Sequence, residues 1–169
     1  MFELKPISKD AVPRAIQKAE RYRLLNEPRA AESICRDVLA VDPGNQDALA
    51  TLVLALTDQF SAPGEPKPAP TDVRRIAETL KDPYARLYFA GVVMERWAKA
   101  HVGSTLPGPY VFSLFREAMD LFEAADAAAP AGNDDALLRF NSCVRLINGI
   151  PALRPDAEDA LLTEHVSLE

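Results

Sequence analysis

The sequence predicts an all-α domain of antiparallel helical hairpins, about seven to eight helices in all. Three observations carry this. Apolar residues recur at helical spacing in segment after segment between residues 10 and 148. One helix–turn–helix pair, NEPRAAESICRDVLAVDPGNQDALATLVLAL (26–56), is small and apolar along one face of each helix, so it needs neighbours of the same kind to bury that face. The unit also returns downstream. DPGNQDAL at 42–49 is matched by APAGNDDAL at 129–137, and Ala31 precedes Pro43 by twelve residues as Ala118 precedes Pro130.

Counted back from Pro43, Tyr22, Ala31, Cys35 and Val38 fall at fixed points of the first unit; counted back from Pro130, so do Ala118, Phe122 and Ala125. A small residue, an aromatic and a second small residue before a closing proline resemble the tetratricopeptide repeat, a helix–turn–helix unit of about 34 residues. Phe122 and Ala125 match the family's second-helix positions, where the first unit has Cys35 and Val38. Ala15 and Ala19 stand at the tryptophan and glycine positions of a first helix, and Gly91 is a well-placed glycine in a later one. The resemblance covers roughly residues 10–148. It implies a right-handed superhelix whose first helices line a concave, peptide-binding surface. It implies a non-enzymatic adaptor or scaffold for a protein or peptide partner, without cofactor. The alternative is a structural repeat protein that associates with itself.

The two prolines lie 87 residues apart, whereas two units of this kind would place them about 68 apart. The surplus falls in two stretches dense in helix breakers, SAPGEPKPAP (61–70) and HVGSTLPGPY (101–110). Segments 61–70 and 101–109 are therefore expected to be inserted loops, the first of them a plain spacer. Pro66, Pro68 and Pro70 would also suit a polyproline-type ligand.

Composition bounds the function. At 169 residues, 48% apolar and 26% charged, the chain suits one globular domain with a real core. No apolar run nears the roughly 18 residues of a membrane span, and MFELKPISKD lacks the apolar core of a secretory signal. A cytoplasmic protein without membrane contact is expected. The net charge of −6 argues against nucleic acid, which needs a basic surface. The charge is uneven: residues 1–30 hold seven Lys/Arg and four Asp/Glu, while 117–135 hold six acids and no base. That polarity fits a solvated face or a basic partner at the C-terminal end. Cys35 and Cys143 sit among apolar helix neighbours, as reduced core thiols do. His101 and His165 are 64 residues apart and share no metal-ligand spacing. No phosphate loop, nucleophile elbow or H-E-x-x-H occurs.

In order, residues 1–8 read as an arm, and Ser8 or Asp10 as the cap of a first helix with Ile16, Ala19 and Tyr22 inward. Pro28 opens the second helix and Asn45 caps the third, with its stripe of Leu49, Leu52, Val53 and Leu56. Thr71 starts a short helix, and Asp82-Pro83 starts a long one that is apolar nearly all round, expected to lie at the centre with Leu87, Gly91 and Met94 covered. A helix from about Tyr110 to Ala128 follows. Then Asn133 or the adjoining aspartates cap a helix that Gly149-Ile150-Pro151 stops. Residues 156–165 form an amphipathic piece suited to capping the stack.

One polar constellation stands out. Asp134, Leu138, Asn141 and Arg145 share a face of the penultimate helix, as Tyr84, Tyr88, Gly91 and Glu95 share one of the central helix. Buried polar groups need partners. Two readings remain open: an internal Glu95–Arg145 pair with Asn141 bridging carbonyls, or a groove wall where Tyr88, Glu95, Asn141 and Arg145 meet a partner peptide. A monomer or weak homo-oligomer is expected.

Overall fold

The computed structural model describes residues 2–153. Among them are seven α-helices and no strand: α1 (Val12–Leu24), α2 (Pro28–Val41), α3 (Gln46–Asp58), α4 (Pro70–Glu78), α5 (Pro83–His101), α6 (Gly108–Ala127) and α7 (Asp135–Gly149). Short 3-10 turns occur at Lys9–Ala11 and Pro151–Leu153. Each helix packs mainly on its neighbours in sequence, while α1 also touches α3 and α3 touches α5. The arrangement is consistent with a helical-repeat fold, with α1, α3 and α5 side by side and α7 joined to α5 through side chains. The expected capping piece at 156–165 lies outside the described residues.

Local chemistry sets the helix boundaries. The Asn45 Oδ1 accepts the Ala48 amide at 2.9 Å, and the Asp82 carboxylate accepts the amides of Tyr84 and Ala85, each at 3.3 Å. Such caps contribute about 1 kcal/mol each. Prolines at the starts of α2, α4 and α5 lack an amide that would have had no helical partner there. Asn26, at φ 60°, turns the chain between α1 and α2, a conformation asparagine tolerates. Neither Ser8 nor Asp10 caps α1; the 3-10 turn leads directly into it. At α7 it is Asn133 that serves, its Oδ1 accepting the Asp135 amide at 3.1 Å, whereas Asp134 makes no side-chain cap.

The internal repeat is a repeat of packing. Helix α2 buries Ala31, Cys35 and Val38, and α6 buries Ala118, Phe122 and Ala125, the same three offsets 87 residues later. The phenyl ring at 122 fits where a thiol stands at 35 because α5 supplies a glycine: a Cβ on Gly91 would lie 2.7 Å from that ring. Six consecutive residues of α5, Ala90–Glu95, are buried. No helix with one free face could achieve this, and α3, α4 and α6 all pack on it. Gly91 and Met94 are covered as expected, while Leu87 is half-buried.

The first loop is more than a spacer. The Lys67 ammonium turns back onto the carbonyls of Gln59, Phe60 and Ala62, and Arg29 of α2 donates to the Pro66 carbonyl at 3.2 Å. Carbonyls at a helix end have no helical partner, and a cation there also meets the negative end of the helix dipole. The second loop is shorter than expected, because α5 runs to His101 and α6 already starts at Gly108, with Pro109 in its first turn. A Cβ on Gly108 would lie 1.9 Å from the Ala152 carbonyl oxygen, so the Pro151–Leu153 turn packs directly on the backbone of α6.

Two stability measurements test this packing. Gly91→Leu forces the Phe122 ring aside and is expected to cost about 1–3 kcal/mol in urea unfolding. Lys67→Met removes the cation from the end of α3 and is expected to cost about 1 kcal/mol or more, with cooperativity retained.

Candidate functional site

The face shared by the odd helices is held by two bridges of one design, a carboxylate between two cations. In the first, Asp58 at the end of α3 accepts Arg23 Nε of α1 at 2.8 Å on one oxygen and Arg96 Nη1 of α5 on the other. The same Arg96 nitrogen reaches the Thr57 hydroxyl at 2.8 Å. In the second, Glu95 of α5 accepts Lys99 Nζ at 2.5 Å and Arg139 Nη1 of α7 at 2.7 Å. Glu95 is fully buried, whereas the four cations are only partly so. Among the described residues, no buried side-chain nitrogen or oxygen lacks a hydrogen-bond partner.

Beside the second bridge is a cleft of about 300 Å³ lined by Tyr88, Glu95, Lys99, Asp135, Leu138, Arg139 and Ser142. Tyr88 stacks on Tyr84 at 5.6 Å between ring centres; its hydroxyl accepts Arg139 Nε at 3.3 Å, and the guanidinium sits 5.9 Å from its ring centre. Burial lowers the Arg139 pKa, but Glu95 and the Tyr88 hydroxyl outweigh it, leaving the guanidinium above its ordinary value. Arg96 falls below its ordinary value: burial is the main cause, Asp58 opposes it, and Arg139 and Arg23 repel. Arg23, Arg96 and Arg139 thus lie near enough to one another to repel, with Asp58 and Glu95 between them. A larger hollow of about 730 Å³ runs along α1 past Arg14, Lys18 and Arg21, but those cations are exposed and no carboxylate lines it.

Of the residues singled out in the sequence, Tyr88 and Glu95 meet in this cleft, and Asn141 and Arg145 do not line it. The expected Glu95–Arg145 pair is replaced by Glu95–Arg139. The reason is helical phase. Ala136, Cys143 and Ile147 set the buried stripe of α7. At about 100° per residue, Arg145 projects nearly opposite that stripe and Arg139 flanks it. Arg145 is exposed and Asn141 half-buried. Arg139 stands three residues after Ala136 and four before Cys143, which puts it on the edge of the buried stripe once the core shows which residues form that stripe. Lys99 was legible as the i+4 partner of Glu95. The Arg23–Asp58–Arg96 bridge joins residues far apart in sequence and carries no local signal.

Both cysteines are buried free thiols. Desolvation pushes Cys35 up to about 11 and Cys143 up to about 12 from 9.0. Models of known protein families, curated proteins and solved structures offer no match to the chain.

Arg139→Met should cost about 2–4 kcal/mol, because it leaves a buried carboxylate with Lys99 alone. Arg145→Met should stay within about 0.5 kcal/mol of the parent. Urea denaturation of the pair decides between the two pairings. Iodoacetamide at about pH 8.5 should label the thiols only after unfolding, since the thiolate is the reactive form. The folded chain holds thiol protons that the unfolded chain releases above 9.0, so this contribution to stability is complete below pH 9.0 and is lost as pH rises towards 11 and 12. Alkaline urea titrations measure the decline.

Proposed function

We propose that this chain is a non-enzymatic, cytoplasmic interaction module of tetratricopeptide type, an adaptor holding a peptide or protein segment across the face shared by α1, α3, α5 and α7. The carrying observation is the cleft between α5 and α7, where Tyr88, Lys99, Leu138 and Arg139 are all partly open to solvent. Tyrosine and arginine are among the side chains that most often anchor protein interfaces. The bridges lock these rotamers before binding, which lowers the ordering cost of association. No helix among the described residues is long and apolar enough to cross a membrane.

A second reading, self-association, draws on the exposed leucines of the terminal helices: Leu24 and Leu25 at the end of α1, and Leu137 and Leu138 on α7. Concentration-dependent light scattering separates the two, since only self-association raises the mass of the isolated protein.

A photo-crosslinking side chain at Ser142 should trap a partner in source cells, and the same group at exposed Ala124 of α6 should not. Tyr88→Ala is expected to weaken that capture by about tenfold with the fold intact, as loss of an aromatic anchor does. Equal trapping at both positions would argue against the face.

A further inference from the structure

The two bridges are unbalanced in charge and in donors. Arg23, Arg96, Lys99 and Arg139 bring four positive charges against the two carboxylates of Asp58 and Glu95, a surplus of +2 in a chain of net charge −6. Asp135 on the rim of the cleft removes one and leaves the balance positive. Each carboxylate has both oxygens engaged. The cations have donors to spare: an ammonium carries three N–H groups and a guanidinium five. Among the described residues, Lys99 engages one acceptor, Arg23 bonds through Nε, and Arg139 through Nε and Nη1. Lys99 and Arg139 line the cleft with side chains 37% and 27% exposed, while Arg23 and Arg96 lie outside it at 18% and 22%.

We propose that the odd-helix face binds an acidic peptide segment, with Asp or Glu side chains meeting Lys99 and Arg139 in the cleft and an apolar residue resting on Tyr88 and Leu138. This rests on the peptide-binding reading above and names its ligand chemistry. The two cations stand on different helices, α5 and α7, which suits carboxylates spaced along an extended segment better than one terminal carboxylate. Arg14, Lys18 and Arg21 form another cationic stripe, on an exposed helix face whose hollow has no carboxylate in its lining. It serves as the internal control.

The test is fluorescence anisotropy with three labelled peptides of one length and one apolar pattern, bearing Glu, Gln or phosphoserine at the polar positions. The Glu peptide should bind at least tenfold more tightly than the Gln peptide and lose affinity as salt rises. Lys99→Gln should weaken it by about tenfold, the effect of one charge-assisted hydrogen bond, while Lys18→Gln leaves it unchanged. Lys99→Gln preserves the Glu95–Arg139 pair and so tests binding even if Arg139 variants fail to fold; thermal melts confirm folding. Equal binding of the Gln peptide would overturn the acidic class and leave the peptide-binding reading standing. Weakening by Lys18→Gln alone would move the site to α1 and overturn the proposal. Preference for phosphoserine by more than tenfold would reassign the ligand to phosphate. Absence of binding by all three overturns the acidic class if the Ser142 cross-link still forms, and both readings if it does not.

Discussion

A buried carboxylate, Glu95, joins α5 to α7, and the placement of these two helices depends on keeping it paired. Removing a carboxylate from water costs several kcal/mol unless charged partners replace the solvent. Glu95 is supplied from its own helix by Lys99 and from α7 by Arg139. Lys99 alone would leave one oxygen unsatisfied, so the position of α7 along α5 is tied to the reach of a single guanidinium. Asp58 plays the same part between α1, α3 and α5 from a less buried position. Apolar packing between helices tolerates small slides; a two-sided ionic bridge does not.

Apolar packing sets the distances that the bridges then register. Ala19, Ala31 and Ala118 are completely buried and bring neighbouring backbones close. The α5–α6 crossing is closer still in design, a glycine facing the ring of Phe122. Volume is exchanged between positions across the repeat, with a small residue on one helix matched to a large one on its neighbour. The loops take part as well. Lys67 closes the end of α3, and the backbone of Ala152 rests on Gly108, so both breaker-rich segments return to the body of the domain.

These constraints shape the odd-helix face. Cations held by buried or shared carboxylates cannot wander as surface lysines do, so their unspent donors present a fixed pattern. The surplus of positive charge arises in the middle of an acidic chain, which makes the face electrostatically distinct from the surface around it.

Much of this was written in the sequence. The helices α2 and α6 were legible as equivalents because small and aromatic residues keep their distances from Pro43 and Pro130, and those residues are the ones that pack inward. The Asn45 and Asp82 caps and the central place of α5 follow from local hydrogen bonding and from an apolar pattern without a free side. The charged site was half legible: Tyr88 and Glu95 meet in the cleft, but the sequence alone favoured Arg145 over Arg139, since both lie on α7 and both can reach several ångströms. Choosing between them requires the rotation of α7 about its axis, which is fixed by how Ala136, Cys143 and Ile147 seat in the core. The Arg23–Asp58–Arg96 bridge likewise exists only once α1, α3 and α5 lie side by side. Periodicity and capping act within a few residues and determined the elements; the pairing of charges acts across helices, and only the packed arrangement decided it.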